Sequence, residues 1–311
     1  MSRTASRRGI QPLSPTLRRF LRWLPTWLVF LLAGLWTLPT AGLLMSSLRN
    51  WPRQQSGWWT NLPDPETWSL DAYRAALSAT VNNSFVESMW NSLTIAIPAT
   101  VVPLLLASWA AYAIAWIPFR GKNWVFFGTV ALMALPIQAT LIPLLQTFSG
   151  GAHLTLPVIE RTVTVFPDFN LAGTLPAVWL TLIGFALPFS VFLLTTAMVG
   201  LPPSVIDSAR SDGATHSQTF WRVALPLTVP TLAGLGVLLF LWSWNEYLIP
   251  FTLIGGGNPE NLPATIRLVS YSVPTAGSGI AAATFLHSAV AILVFLVLQR
   301  YFVRSLILSV E

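Results

Sequence analysis

Long apolar windows with few or no charged residues alternate with short polar stretches along the chain. Each window can hold the roughly 20 residues that an α-helix needs to cross the hydrocarbon core of a bilayer. Several windows contain prolines, which membrane helices tolerate because neighbouring helices satisfy the backbone groups that a proline frees. We therefore predict an all-α integral membrane protein with six transmembrane helices, at about 23–48, 91–117, 123–148, 173–198, 226–254 and 281–302.

The composition supports a membrane protein, since 54% of the residues are hydrophobic and only 9% are charged, against roughly 25% charged in soluble domains. The two tails and alternate loops hold 12 of the 17 basic residues but only 3 of the 11 acidic ones. By the positive-inside rule these segments are cytoplasmic. The basic character therefore reflects topology and does not indicate a nucleic-acid partner. The chain has no cysteine, which excludes disulfides and thiolate metal sites.

The predicted organisation is a basic cytoplasmic N-terminal tail (1–22), a six-span domain (23–302) and a cytoplasmic C-terminal tail (303–311). The alternative for the N-terminus is the basic region of a cleaved signal peptide. The apolar run that follows, 23–48, has 26 residues, which is longer than the roughly 7–15 of a signal-peptide core. We therefore expect a retained first span.

Two polar loops are predicted outside the membrane. The first, 49–87, contains an amphipathic stretch at 69–77 and several tryptophans, which are typical of the membrane interface. A docking surface for an external partner is the alternative for this loop. The second, 149–171, is polar enough for a small hairpin.

One polar segment, 201–226, interrupts the apolar pattern between the predicted fourth and fifth spans. Ser204 can N-cap a short helix, with Asp207 three residues later as its partner in a capping box. Gly213 supplies the backbone freedom that ends this helix. A second short helix is predicted at about 217–222, before the next apolar run.

This segment resembles the EAA loop, a cytoplasmic loop of binding-protein-dependent ABC importer permeases. The family pattern is Glu-Ala-Ala, three residues, Gly, nine residues and then Ile-x-Leu-Pro. The spacing matches throughout, with the corresponding positions occupied by Asp207, Ser208, Ala209, Gly213, Val223, Leu225 and Pro226. Asp207 stands where the family has Glu and Ser208 where it has Ala, so the sign of the charge is kept.

The resemblance implies that the segment fits a cleft on a cytoplasmic ATPase and transmits its motion; an ordinary capped connector is the alternative. Small and apolar side chains, Phe220 among them, would pack into the cleft. Charged side chains would set the register by complementarity. The predicted coupling residues are Asp207, Ser208, Ala209, Arg210, Asp212, Gly213, Ala214, Phe220 and Pro226.

A second polar feature lies in the predicted fifth span, where Glu246 follows two tryptophans. An ionisable residue inside a membrane segment is costly and suggests a wet cavity or bundle interior. The alternative is that Glu246 lies near the outer end of its span and meets interfacial water. Carbohydrate-type ABC permeases carry a Trp-Asn-Asp/Glu signature here, which this chain resembles. The resemblance implies a substrate path that includes Trp242, Trp244, Asn245 and Glu246.

Other chemistry finds little support in the sequence. The glycines at 255–257 lack a following Gly-Lys-Ser/Thr and form no phosphate loop. The three histidines lie far apart, without metal-ligand spacing. We therefore expect no enzymatic activity and no cofactor in this chain, with ATP and Mg²⁺ bound by the partner ATPase.

The resemblance to sugar-importer permeases extends over nearly the whole chain, as in "NSLTIAIPATVVPLLLASWAAYAIAWIPFRGK" and "LPFSVFLLTTAMVGLP". It is of the maltose-permease-like second-subunit type and leans toward the α-glucoside and glucosylglycerol importers. It implies the bacterial inner membrane, a heterodimer with a second permease, an ATPase dimer, an external sugar-binding protein and alternating access. An importer for a non-sugar solute and a stand-alone secondary transporter are the alternatives.

Overall fold

The computed structural model describes residues 26–49, 68–78, 85–156, 161–255, 259–270 and 277–308. The predicted N-terminal tail and residues 309–311 lie outside these ranges, as does most of the predicted first external loop. The long helices are α1 (Thr26–Ser47), α3 (Phe85–Trp116), α6 (Leu175–Val199), α9 (Leu225–Asn245) and α12 (Gly277–Leu308). The shorter elements are α2 (Asp71–Leu77), α4 (Lys122–Leu132), α5 (Ile137–Gly150), β1 (Ala152–Leu156), β2 (Arg161–Phe166), α7 (Pro203–Ser211), α8 (His216–Thr219), a π turn (Phe220–Ala224), α10 (Leu248–Ile254), a 3₁₀ turn (Pro259–Asn261) and α11 (Ala264–Ser270).

Five helices in the described ranges are long and apolar enough to cross a membrane. They are α1, α3, α6, the continuous helix His216–Asn245 and α12. A sixth span exists only if α4 and α5, which meet at an angle of 96°, are counted together. The mostly helical membrane architecture predicted from the sequence is therefore confirmed.

The third span predicted at 123–148 is sharply bent, because the chain turns by 96° between α4 and α5. Pro136 sits at the start of α5 in an extended conformation, with ψ 121°. A proline also disfavours helical backbone at the residue before it. The amides of Met133, Ala134 and Leu135 each donate to the carbonyl three residues earlier, so the bend leaves these groups satisfied.

The last two spans also differ from their predicted bounds. The predicted fifth span, 226–254, is interrupted after Asn245, and α10 starts afresh at Leu248. Helix α12 continues to Leu308, six residues beyond the predicted span end at 302 and into the predicted C-terminal tail.

The interior is built where α3, α6 and α9 pack together. Small residues line this contact, among them Ala107, Ala111 and Ala186, all at most 2% exposed. Small side chains let membrane helices approach closely, which van der Waals packing in lipid requires. By contrast, α1 packs on α12 and exposes large apolar side chains such as Trp36, as expected of a lipid-facing surface.

Two local features predicted for the polar loops are present in the structure. Helix α2 lies in the amphipathic stretch, and β1 and β2 form an antiparallel hairpin within the second loop. Gly151 precedes the hairpin at φ +73°, and a Cβ there would lie 2.7 Å from the carbonyl oxygen of Phe166. The position therefore requires glycine.

Candidate functional site

Helix α7 forms the first part of the polar segment, but it starts differently from the prediction. Pro202 is the N-cap residue, Pro203 follows in the first turn, and no side chain caps the helix. The predicted capping box of Ser204 and Asp207 is therefore wrong. Proline at the first helical position replaces it, since its missing N–H is one that a helix start leaves unbonded anyway.

The end of α7 agrees with the prediction for Gly213, which adopts φ +83°. The Gly213 amide donates to the Arg210 carbonyl and the Ala214 amide to the Ala209 carbonyl, both at 3.0 Å. This pair of bonds is a Schellman motif, which closes a helix through a residue in the left-handed region. The tight corner predicted at Gly213 is thus confirmed.

A capping box does occur, but it lies one helix later. The Thr215 hydroxyl accepts from the Gln218 amide, and the Gln218 side-chain oxygen accepts from the Thr215 amide. Helix α8 then continues through the π turn into α9. The separate second helix predicted at 217–222 is wrong, although Pro226 does lie in the first turn of α9.

A side chain of α7 bonds the end of one membrane helix, and that helix is bonded in turn to the end of another. The Arg210 guanidinium donates to the Trp116 carbonyl at 2.8 Å, at the last residue of α3. The Trp116 indole N–H donates to the Met198 carbonyl at 3.1 Å, near the end of α6. Ile206 is fully buried, in the same cluster as Met198 and Tyr112.

The predicted coupling residues divide by exposure. Five are exposed: Asp207, Ser208, Asp212, Gly213 and Pro226. Three are half-buried: Ala209, Arg210 and Ala214. Phe220 is buried, with its ring 5.3 Å from that of Tyr112. The interpretation that Phe220 enters a partner's cleft is therefore wrong, because the side chain fills the core of its own chain.

Trp244, predicted for the substrate path, is 1% exposed. Its ring stacks between Phe240 and His287 at centroid distances of 5.6 and 4.8 Å. Its indole N–H donates to the His287 carbonyl at 3.1 Å. Trp244 therefore joins α9 to α12 and does not line a path in this structure.

Glu246 caps the short helix that follows the break in the fifth span. One of its carboxylate oxygens accepts from the amides of Leu248 and Ile249, at 3.0 and 3.2 Å. Its backbone carbonyl accepts from the Thr265 hydroxyl at 2.9 Å. A carboxylate at a helix start is stabilised by the amides it bonds, so Glu246 has a structural role whether or not water reaches it.

Trp242 is the predicted path residue that borders a cavity. An open cavity of about 620 Å³ lies between the α4–α5 bend, α6 and α9. Its wall is mostly apolar, with Trp242 and Phe185 among the aromatic side chains and Thr140 and Thr181 among the polar ones. Asn245 is exposed, and its side-chain amide donates a hydrogen bond to the Leu241 carbonyl. The structure thus separates the four predicted path residues instead of bringing them together.

Sequence reasoning missed Ile206 and Trp116 at the attachment of α7. Val205 and Ile206 are the large aliphatic residues of a mostly polar helix, which is a signal for an inward face; Ile206 is buried there and Val205 is exposed. Trp116, at the end of a span, could not be distinguished from an interfacial tryptophan. Among the described residues, no group of three or more His, Asp or Glu could hold a metal ion.

Comparisons with known proteins agree with this architecture. Residues 103–308 match the family of binding-protein-dependent transport system inner membrane components. An osmoprotective compounds uptake permease protein of Synechocystis sp. is 37% identical over 90% of this chain and 88% of its own length. An alpha-glucoside transport system permease protein of Rhizobium meliloti is 38% identical over 78% of this chain and 60% of its own length.

The fold is shared with a solved bacterial ABC transporter involved in the import of the acidic polysaccharide alginate. The TM-score is 0.70 at 21% identity, over 94% of this chain and 99% of that one. Together with the five or six candidate spans, these matches show that the chain belongs to the inner membrane permease components of binding-protein-dependent ABC transport systems.

Proposed function

We propose that this chain forms half of the translocation path of an ATP-driven sugar importer, with an oligosaccharide or α-glucoside as substrate. The observation that carries the proposal is α7, a short helix with an exposed face that is bonded to the end of α3, which is bonded in turn to the end of α6 through Trp116. Such a helix can receive a push from a soluble partner and pass it on as rigid-body motion. The name of the Rhizobium relative supports the substrate class.

The proposed partners are those expected of a permease in a binding-protein-dependent transport system. A second permease completes the path, an external sugar-binding protein delivers the substrate, and two cytoplasmic ATPase subunits bind ATP and Mg²⁺. The chain itself is not an enzyme in this proposal, because its sequence carries no phosphate-binding loop. Both termini are cytoplasmic, in line with the excess of basic residues in the tails.

The proposed mechanism is alternating access. ATP binding closes the ATPase dimer and displaces α7, whose exposed Asp207, Ser208 and Asp212 face the partner. The ends of α3 and α6 move with it, and the membrane helices open toward the docked binding protein. Trp242 lies on the wall of the 620 Å³ cavity. Its proposed role is to contact the sugar, because aromatic faces suit the C–H faces of sugar rings.

The first test is co-purification of the tagged chain in mild detergent, with mass spectrometry of every retained protein. Recovery of a second permease and an ATPase is the expected result. The complex is then placed in liposomes with its binding protein, and ATP-dependent uptake of labelled α-glucosides is measured. A chain that purifies alone and moves solute without ATP would contradict the proposal in favour of a secondary transporter.

A second candidate substrate is an osmoprotective solute, which the name of the Synechocystis relative favours. The same liposomes distinguish the two through competition. If glucosylglycerol displaces labelled α-glucoside at lower concentration than unlabelled α-glucosides do, the osmoprotective assignment replaces the proposed one. Gly213→Trp is the control for coupling in both assays, and normal uptake by this variant would contradict the role of the loop.

A further inference from the structure

Arg210 and Trp116 connect three helices by two consecutive hydrogen bonds. The guanidinium of Arg210 on α7 reaches the carbonyl of Trp116 at the end of α3, and the indole of Trp116 reaches the carbonyl of Met198 on α6. The last four carbonyls of a helix lack partners within the helix, and a cation is favoured there by the helix dipole. Both bonds thus fall where a helix end offers an acceptor.

The Arg210 bond lies on the inward face of α7. Ile206 and Arg210 are four residues apart and share one side of the helix; Ile206 is fully buried there. The flanking and opposite sides of the helix carry Asp207, Ser208 and Ser211, which are exposed. Helix α7 therefore has one face attached to the membrane helices and another that is free for a partner.

Arg210 bonds a carbonyl and not a carboxylate. Within the described part of the chain, Arg74 and Asp71 form an ion pair, whereas Arg210 forms none with Asp207 or Asp212. The half-buried guanidinium therefore contributes its charge to the C-terminal end of α3. The bond to Trp116 gives Arg210 a role within its own chain, whereas the sequence predicts that it sets the register against the ATPase.

We propose that Arg210 and Trp116 are positioning residues that make α7 and the ends of α3 and α6 move as one unit, so that displacement of α7 reaches these two membrane helices. The proposal rests on the proposed coupling function. It differs from that function in assigning Arg210 to force transmission inside the chain and not to contact with the ATPase.

The test measures the sugar transported per ATP hydrolysed in the reconstituted complex. Trp116→Phe removes the indole N–H but keeps an aromatic ring, and Arg210→Met removes the donors but keeps the length. We expect either variant to lower the ratio by about fivefold or more, the range of a typical coupling free energy, while the ATPase still co-purifies and hydrolyses ATP. Arg210→Lys, which keeps one cationic donor, should recover part of the ratio.

Matched controls separate this effect from general damage. Trp124→Phe changes a tryptophan that is 83% exposed, and Arg222→Met changes an exposed arginine of the same polar segment. Neither should alter the ratio. An unchanged ratio in both Trp116→Phe and Arg210→Met would overturn the proposal. So would loss of ATPase binding in Arg210→Met, because the arginine would then be a partner contact.

A distance measurement gives a test that does not depend on these variants. The chain has no cysteine, so spin labels can be placed at Ser204→Cys on α7 and Phe119→Cys beyond the end of α3. We expect the distance between them to stay constant between nucleotide-free and ATP-bound complexes. A change of about 5 Å, one helical turn, would overturn the proposal. A wild-type complex without ATP-driven uptake would instead count against the proposed function.

Discussion

The polar segment around α7 and the break after α9 are two polar interruptions of an apolar chain, and they use their polar residues differently. In the first, Asp207 and Asp212 remain exposed while Arg210 bonds a helix end. In the second, Trp244 and Glu246 are both engaged with their own chain. Both segments place polar residues in an apolar chain. Only the segment around α7 keeps charged side chains exposed, where a partner can contact them.

The difference follows from the surroundings of each segment. A backbone group without a hydrogen-bond partner in lipid costs several kcal/mol, so a break within a span needs new partners for it, from the backbone or from side chains. Glu246 does this for α10. A loop outside the lipid can leave such groups to water, and its side chains are then available for recognition. Exposure, more than residue type, therefore identifies the candidate contact residues.

The largest effect on stability is expected from Trp244→Ala. Removing a fully buried aromatic side chain costs about 3–5 kcal/mol in protein cores, and this change also removes the stack against His287. Thermal unfolding in detergent should show a clear loss for Trp244→Ala and a much smaller one for Trp244→Phe. Trp242→Ala is the matched control, with a milder loss of stability but reduced uptake. Equal losses of stability in Trp244→Ala and Trp242→Ala would contradict the assignment of Trp244 to packing and Trp242 to the substrate path.

Gly213→Val should have the next largest effect. The added side chain has room, since no atom lies within 4 Å of a Cβ there. The penalty comes from the backbone angle, φ +83°. An ordinary L-residue loses about 1–2 kcal/mol of stability in this left-handed region, and a β-branched residue is disfavoured more strongly. Uptake should fall sharply in Gly213→Val and little in Gly213→Asn, because Asn tolerates this region. Equal uptake by the two variants would show that the corner's conformation does not matter.

Glu246→Ala should cost about 0.5–2 kcal/mol, the usual effect of losing a helix cap. Glu246→Gln keeps an acceptor oxygen for the amides of α10 and should unfold close to the wild-type temperature. Uptake and stability should therefore fall together in the alanine variant. If Glu246→Gln abolished uptake at unchanged stability, the carboxylate charge itself would belong to the substrate path.

Asp207→Asn should have the smallest effect on stability, within about 0.5 kcal/mol for an exposed substitution. Its carboxylate is free for a partner in the proposed complex, so sugar-stimulated ATP hydrolysis should fall while unfolding is unchanged. Ser211→Ala, on the same exposed side, is the control. A large destabilisation by Asp207→Asn would assign the carboxylate a structural role like that of Glu246.

Sequence reasoning located features that depend on composition or on one local requirement. Long apolar runs placed the helices, and the glycine at 213 placed the corner. The break at Pro136 could not be distinguished in advance, because Pro98, Pro103 and Pro188 lie within continuous helices. Whether a proline bends or breaks a membrane helix depends on its neighbours in space.

The same limit applied to the site residues. Trp242 and Trp244 are equivalent in sequence, yet the helix directs one toward a cavity and the other toward His287. Both Ser204 and Thr215 precede a suitable capping partner by three residues, and the proline start of α7 left only Thr215 in that role. These outcomes are decided by tertiary packing and by the backbone that precedes each motif.

The π turn between α8 and α9 has a consequence for sequence alignment. It holds one more residue per turn than an α-helix does within an otherwise continuous helix. Deleting one residue of Phe220–Ala224 would convert it to an α-helical turn and leave the faces of α9 pointing as they do now. The same deletion elsewhere in the helix would rotate every later side chain by about 100°. A one-residue gap at this turn is therefore the length change that this helix can absorb.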